Sequence, residues 1–313
     1  MLSLDVLKKK IKTAQDLLSV VKTMKSLAAV NIRHYESAAV SLERYSKVVD
    51  AGWQALFRTP LQMLPAVDEE QMIFLVFGSD QGMCGQFNEV IANLAAERFR
   101  SEQAAGRRVA VWTAGDRVRA ALENLHVIDE HFALPGGPAG IPGQVQEVVR
   151  TFEQRRNEKG VEVLEVFYNQ LVAGGYESVR ARVLPLDSRW VERHRLQKWP
   201  NKCLPLLGMA PEHLFRELFR QYLFVSFYKA FAQSLASENA ARLRSMQAAE
   251  KNIQELEETL EARFRETRQN IITSELLDII SGFEAVGGKS SQGPLKTTHR
   301  KSIPDAVFAE IRF

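Results

Sequence analysis

Small and aliphatic side chains recur at alternating spacings of three and four residues along the first 45 residues, which is the heptad pattern of a coiled coil. No proline or glycine interrupts the chain before Gly52. A helix of about 50 residues would be roughly 75 Å long, longer than a small domain is wide. The seam consists of Leu4, Leu7, Ile11, Ala14, Leu18, Val21, Lys25, Ala28, Ile32, Tyr35, Ala39 and Leu42.

The C-terminal third predicts a second long helix. From Pro211 to Gly282 the chain contains no other proline or glycine, so a helix of about 70 residues, roughly 105 Å long, is expected. Residues 1–58 carry ten Lys/Arg against five Asp/Glu, whereas residues 211–286 carry nine against twelve. This opposite charge bias favours pairing of the two helices as an antiparallel coiled coil. The second half of the helix carries apolar residues at heptad-like steps: Leu243, Met246, Ile253, Leu256, Leu260, Phe264 and Ile271.

The segment between the helices has a different pattern. Apolar runs at 72–77, 109–113, 161–170 and 178–186 predict strands, and the amphipathic stretches at 88–105, 115–124 and 143–158 alternate with them. Such alternation indicates a small α/β domain inserted into the coiled coil. The expected divisions are an N-terminal helix (1–58), an α/β domain (70–186), a connector (187–210), a C-terminal helix (211–286) and a flexible basic tail (287–313).

Composition excludes several classes of protein. The chain has 313 residues and a net charge of +3, too small by itself to indicate nucleic-acid binding. Its two cysteines, Cys84 and Cys203, cannot form a disulfide framework. The longest apolar runs are far shorter than the roughly 20 residues of a membrane helix, and the N-terminus lacks the pattern of a secretory signal. We expect no direct membrane insertion, no metal and no cofactor.

The sequence SDQGMCGQFN at 79–88 is the strongest local motif, because it follows a predicted strand and precedes a predicted helix. It is compatible with a phosphate-binding turn, with a nucleophilic Cys84, or with a tight turn that only packs the thiol. Glycines at 82 and 85 suit all three readings, but neither a nucleotide motif nor a histidine companion motif accompanies them. Asp116 after the next strand could be catalytic or a helix cap. The tight turn is the preferred interpretation.

Three motifs together resemble the gamma subunit of F-type ATP synthases. SDQGMCGQFN is similar to the family's SDRGLCGGFN, and SENAARLRSMQAAEKN at 237–252 is a second match. RQNIITSELLDIISG at 268–282 resembles the closing motif of the family, and residues 9–29 fit its N-terminal helix more loosely. The resemblance covers about residues 4 to 286.

The resemblance implies an α/β fold class in which a long antiparallel coiled coil of the terminal helices carries a Rossmann-like domain. It implies a central-stalk rotor that transmits torque and regulates ATPase activity and ion flow. The implied partners are the alpha and beta subunits of the catalytic head, the epsilon subunit and the membrane c-ring, with no nucleic acid. No catalytic residue is implied, because the chemistry belongs mostly to the beta subunits. The implied location is the cytoplasmic face of the bacterial plasma membrane, as a peripheral part of the complex.

The resemblance also carries site residues over by position. Contacts with the beta subunits are implied for Arg242, Arg268, Gln269, Thr273 and Glu275, and Met24 and Lys25 match the N-terminal helix segment that faces the same region. For each of them, pairing within the shaft is an equal alternative. The turn residues Ser79, Asp80, Gly82, Cys84 and Gly85 are implied to be structural.

The chain departs from the family at Gln81, where an arginine is usual, at Gly208, where an acidic residue is common, and in the tail beyond Phe283. These differences suggest a divergent branch that serves an alternative rotary ATPase. Two rival functions remain: an α/β enzyme using Cys84 or Asp80 with coiled-coil dimerisation arms, and a free-standing coiled-coil adaptor.

Overall fold

The computed structural model describes residues 3–59, 70–123, 126–199, 203 and 206–287. Two compact units are distinguished: residues 13–257 form one, and the residues up to 12 together with those from 258 onward form the other. Within the described residues no helix is long and apolar enough to cross a membrane. The predicted basic tail at 287–313 lies outside the described residues, except for Gly287, which ends the C-terminal helix.

Helix α1 is Leu4–Leu56, and it buries one side chain in every heptad. The remaining positions of the predicted seam, from Leu4 to Ala39, are half-buried. This regular burial confirms the heptad pattern read from the sequence, because only a helix facing a partner along its whole length buries every seventh residue. The buried residues at this spacing are Leu7, Ala14, Val21, Ala28, Tyr35, Leu42, Val49 and Leu56, and Trp53 and Gln54 are also buried near the end of the helix.

Helix α6 is Pro211–Gly287, 77 residues long, and it continues through Gly282. Within the unit of residues 13–257, polar pairs join α1 and α6 at three heights: Gln15 with Glu257 at 2.8 Å, Lys25 with Glu250 at 2.5 Å, and Tyr45 with Gln221 at 2.5 Å. As the residue number rises on α1 it falls on α6. The two helices are therefore antiparallel, as predicted.

A mixed sheet of five strands lies between the helices in sequence. Its strands are β1 (Gln71–Phe77), β2 (Arg108–Ala114), β3 (Ile128–Phe132), β4 (Val163–Val172) and β5 (Gly175–Leu184). They lie in the order β3-β2-β1-β4-β5, with the first four parallel and β5 antiparallel to β4. The sequence did not predict β3, because this short edge strand, IDEHF, contains two acidic residues and a histidine in place of an apolar run.

Helices cover both faces of the sheet. Helices α2 (Phe87–Ala104) and α3 (Asp116–Glu123) pack on one face, where Phe74 and Phe167 have ring centroids 5.0 Å apart. Helix α4 (Ile141–Lys159) and the first half of α6 pack on the other, where Phe77 meets Phe231 edge to face at 4.6 Å. The first half of α6 is therefore buried on more than one face, as its apolar composition predicts.

The connector after β5 is more regular than its sequence indicates. Helix α5 is Ser188–Leu196, and the carboxylate of Asp187 accepts a hydrogen bond from the Arg189 amide at 2.9 Å at its N-terminus. Helix α5 thus occupies the first part of the connector predicted at 187–210. The sequence of α5 is dominated by charged residues, and its apolar contacts depend on Trp190, which packs against Trp53 of α1.

Candidate functional site

The turn after β1 is closed by hydrogen bonds between its first residue and the start of α2. The Ser79 amide donates to Asn88 Oδ1 at 2.9 Å, and Asn88 Nδ2 donates back to Ser79 Oγ at 2.9 Å. Met83 and Gly85 both have a φ of 64°, a left-handed conformation that favours glycine. The hydrogen bonds and the two left-handed residues produce a compact turn between β1 and α2.

The two acidic residues near this turn support the neighbouring helix. Asp80 Oδ1 accepts a hydrogen bond from the Asp116 amide at 3.0 Å, at the first residue of α3. Asp116 is itself largely exposed, and its carboxylate lies 3.2 Å from His131 Nε2. Asp80 thus satisfies a helix amide that has no partner within its own helix. These contacts give Asp80 a structural role.

Cys84 is only 3% exposed and faces polar groups of its own turn. Its Sγ lies 3.7 Å from Ser79 Oγ and 3.6 Å from Asn88 Nδ2. Burial raises the pKa of the Cys84 thiol, so the protonated form is favoured at neutral pH. No histidine of the described residues hydrogen bonds to this thiol. A catalytic cysteine requires the opposite environment, one that stabilises the thiolate.

Helix α6 contacts the turn through a buried ion pair. Arg242 Nη2 donates to Glu238 Oε1 at 2.6 Å and to the Gln81 carbonyl oxygen at 3.4 Å. The side chains of Arg242 and Glu238 are 10% and 8% exposed. Burial raises the pKa of Glu238, and the charge of Arg242 opposes that rise. Arg242 therefore lies inside this chain and binds the turn.

The same part of α6 is hydrogen bonded to the β4–β5 hairpin. Ser237 Oγ donates to the Asn169 carbonyl oxygen at 3.1 Å, and Arg244 donates to the Gly174 carbonyl oxygen. The Asn169 side chain donates to the Phe87 carbonyl oxygen at 3.1 Å and accepts from Ser178 at 2.6 Å. A layer of polar contacts thus joins α6, the hairpin and α2. We call the set Ser79, Gln81, Asn88, Asn169, Ser237, Glu238 and Arg242 the polar joint.

The sequence motifs contain these residues, but they do not show all of their partners. Asn88 and Glu238 belong to motifs quoted above, so a family pattern was the available signal for them. Asn169 lies in a strand whose other residues are mostly apolar. A polar residue within such a strand was the only sequence signal for it, because a polar side chain buried there needs a hydrogen-bond partner. Its pairing with α6 spans 68 positions of sequence, which local patterns do not encode.

The last part of α6 presents a different surface. Arg268, Gln269, Thr273 and Glu275 are all exposed, and Thr273 Oγ1 donates only to the Gln269 carbonyl of its own helix, at 2.9 Å. Large apolar side chains on the same stretch are also exposed, with Leu276 at 56% and Phe283 at 76%. Four of the five predicted contacts on this helix are therefore available on its surface, whereas Arg242 is not.

The two predicted residues of α1 are half-buried. Lys25 lies in the predicted seam and forms the 2.5 Å ion pair with Glu250, with its side chain 34% exposed. Met24 is its neighbour and is partly covered. This ion pair is the pairing within the shaft that was named above as the alternative for Lys25. Among the described residues no group of three or more histidine, cysteine, aspartate or glutamate side chains is arranged to hold a metal ion.

Comparisons with known proteins agree on one family. A family model described as ATP synthase matches residues 3–286. The ATP synthase gamma chain of Geotalea uraniireducens is 27% identical over 301 residues, covering 92% of this chain and all of the relative. That of Trichlorobacter lovleyi is 24% identical over 294 residues, with the same coverage.

Solved structures show the same fold. A chain in the Euglena gracilis mitochondrial ATP synthase, in a structure of its OSCP, F1 and c-ring, has a TM-score of 0.63 at 16% identity, covering 95% of this chain and 99% of that one. A chain in the central stalk and c-ring of the Tetrahymena thermophila enzyme has a TM-score of 0.51 at 16% identity, covering 74% and 99%.

Proposed function

The chain belongs to the ATP synthase gamma-chain family, and we propose that it acts as the central-stalk rotor of a rotary ATPase, carrying torque without catalysing a reaction itself. The observation that supports this most strongly is the antiparallel pairing of α1 and α6, with a buried residue in every heptad of α1. A shaft must resist twisting, and continuous packing along two helices provides that resistance.

The polar joint gives the α/β sheet a fixed connection to this helix pair. Torque applied to the α/β part must reach α6, and buried hydrogen bonds between two elements hold them in one orientation. Apolar packing of α6 against the sheet adds contact area, with Phe77 and Phe231 at its centre. We propose that the domain division at 70–186 and 211–286 reflects these two roles, coupling and transmission.

We propose that the partners are the alpha and beta subunits around the helix pair, and the epsilon subunit and membrane c-ring beside the α/β part. The complex would hold the chain at the cytoplasmic face of a bacterial plasma membrane. A site in each of three beta subunits can be biased only by a body that contacts the three differently. The exposed polar and apolar residues at the end of α6 supply such unequal contacts.

The beta-contact residues are proposed to be Arg268, Gln269, Thr273 and Glu275, whose side chains are exposed. Met24 and Lys25 are proposed to contribute from α1. For Arg242 we propose that any effect on the beta subunits is indirect, through its bond to Gln81. The turn residues Ser79, Asp80, Gly82, Cys84 and Gly85 are proposed to be structural, in keeping with the buried thiol and with the capping role of Asp80.

Assembly with the head tests this proposal. Co-expressed with alpha and beta subunits, the chain should co-purify with them and the complex should hydrolyse ATP. Alanine substitution of the four exposed α6 residues, Arg268, Gln269, Thr273 and Glu275, should lower the hydrolysis rate by about tenfold or more, because about 1.4 kcal/mol of lost interaction has that effect.

Four exposed residues about two turns earlier in the helix provide the control: Glu261, Arg263, Arg265 and Glu266. Their alanine variant should retain the rate of the unsubstituted complex. A chain that never associates with alpha and beta subunits would contradict the proposal and favour the free-standing adaptor. Equal rates for the two variants would overturn the assignment of the contact residues.

A further inference from the structure

His194 occupies an unusual position on α5, because both of its ring nitrogens face hydrogen-bond acceptors. Nδ1 lies 2.9 Å from the Trp190 carbonyl oxygen, and Nε2 lies 3.4 Å from Asp50 Oδ1 on α1. The His194 side chain is 9% exposed. A neutral imidazole has one N–H and can donate to only one of these acceptors, whereas the imidazolium donates to both.

The charges around the ring act in the same direction overall. Burial is the largest single influence and lowers the pKa of His194, but the hydrogen bond and charge of Asp50 and the Trp190 carbonyl together outweigh it and raise the pKa. Arg193 of the same helix opposes them. From α6, Tyr222 faces the region and interacts with Asp50. The Asp50 side chain is 43% exposed, so the pair remains accessible to protons from water.

The contact between His194 and Asp50 lies beside the aromatic contacts that hold α5. Trp190, one turn before His194, packs edge to face against Trp53 of α1, with ring centroids 5.5 Å apart, and its ring is tilted against Tyr222 of α6, with centroids 5.4 Å apart. Trp190 thus provides the apolar attachment and His194 the charged one. The Gln197 carbonyl oxygen, just after the end of α5, accepts a hydrogen bond from Arg58, which follows the end of α1, at 2.7 Å.

We propose that protonated His194 is a clasp that fixes α5 to α1 through Asp50, and that deprotonation loosens α5. The inference goes beyond the rotor function and does not depend on it. In a rotor, α5 would be held more firmly against α1 at lower pH.

The direction of the pH dependence follows from the raised pKa. A histidine whose pKa is higher in the folded than in the unfolded chain stabilises the fold fully below the unfolded pKa, and it loses that contribution as pH rises through the folded pKa. The clasp is therefore closed in mildly acidic solution. It opens as pH rises above the ordinary histidine value of about 6.5.

Two measurements on the full chain test the clasp. Histidine NMR should show His194 titrating above the ordinary histidine value of about 6.5, and the Asp50→Asn variant should lower the pKa of His194 because it removes the carboxylate charge. Amide hydrogen exchange of α5, corrected for the intrinsic pH effect, should accelerate by about tenfold as the clasp opens, the factor expected for one charge-assisted hydrogen bond.

Controls separate the clasp from general destabilisation. Asp16→Asn alters an exposed carboxylate of α1, the helix that carries Asp50, and should leave the His194 titration unchanged. His194→Gln should abolish the pH dependence of amide hydrogen exchange in α5. Amide exchange in α4 should be the same in this variant as in the unsubstituted chain. The proposal is overturned if His194 in the unsubstituted chain titrates at or below the ordinary histidine value of about 6.5, or if amide exchange of α5 is independent of pH. Both results are obtained without any variant that fails to fold.

Discussion

At the scale of single residues, the most consequential group is the buried pair Glu238–Arg242. In the described structure, Glu238 Oε2 and Arg242 Nε have no hydrogen-bond partner although both atoms are buried. The pair is therefore held by one ion-pair contact and by the bond from Arg242 to Gln81. A buried charge that loses its partner is far more costly than an exposed one, because it keeps its desolvation penalty.

We predict that Arg242→Ala lowers the free energy of unfolding by roughly 3 kcal/mol or more. Without Arg242, the pKa of Glu238 should rise further, because burial and the charge of Asp80, which both raise it, then act unopposed. A carboxyl with a raised folded pKa stabilises less as pH rises through that pKa, so the loss should be larger at pH 8 than at pH 5. Urea unfolding at the two pH values measures both effects.

The exposed pair Lys251–Glu255 on the same helix is the matched control. It has the same spacing of four residues, but its side chains are 78% and 63% exposed. Lys251→Ala should change the stability by less than about 1 kcal/mol. If Arg242→Ala and Lys251→Ala lower the free energy of unfolding by the same amount, burial does not increase the contribution of the Glu238–Arg242 pair to stability. The polar joint would then not be the fixed connection described above.

At the scale of elements, the long helices were predictable and some of the small ones were not. The heptad spacing of α1 depends only on local order along the chain, and the structure buries the residues it indicates, such as Ala14 and Ala28. Strand β3 and helix α5 are short and rich in charged residues, and each depends on a neighbour: β3 pairs with β2, and α5 packs through Trp190. Their stability comes from tertiary contacts, which local patterns do not contain.

The candidate site, like the fold, was predictable from the sequence only in part. Family motifs indicated the turn at 79–88 and the end of α6, but they did not show that Arg242 turns inward while Arg268 remains exposed. That difference depends on the turn and Glu238 lying beside Arg242, and on the exposure of the helix surface around Arg268. Neither can be read from residue type.

The helix pair offers a test with adjacent residues of the same type. Ala28 is 1% exposed and Ala29 is exposed on the same turn of α1. Ala28→Glu should destabilise the chain by roughly 3 kcal/mol or more, because it buries a carboxylate against α6 without a partner. Ala29→Glu should be within about 0.5 kcal/mol of the unsubstituted chain.

Thermal and urea unfolding of the two variants compare them directly. If Ala28→Glu and Ala29→Glu lower the free energy of unfolding by similar amounts, α1 is not packed along its seam in solution. That result would contradict the burial of the heptad residues and the rigidity that a shaft requires.

At the scale of the whole molecule, the features of the chain agree with a mechanical role better than with a catalytic one. The motif that most resembles an enzyme turn encloses a buried thiol whose pKa is raised, and its aspartate caps a helix. Burial at every seventh position of α1 instead serves the packing of two antiparallel helices, and the polar joint connects α6 to the sheet. Substitution of Cys84 by alanine should therefore leave ATP hydrolysis by the assembled complex intact.

Rotation of this chain within the complex is the most direct test. Val127 is 86% exposed, so a bead can be attached through Val127→Cys after the exposed Cys203 is changed to serine. With alpha and beta subunits fixed to a surface, ATP should drive continuous rotation of the bead in one direction. A complex that hydrolyses ATP while the bead stays still, or only fluctuates without direction, would contradict the rotor function.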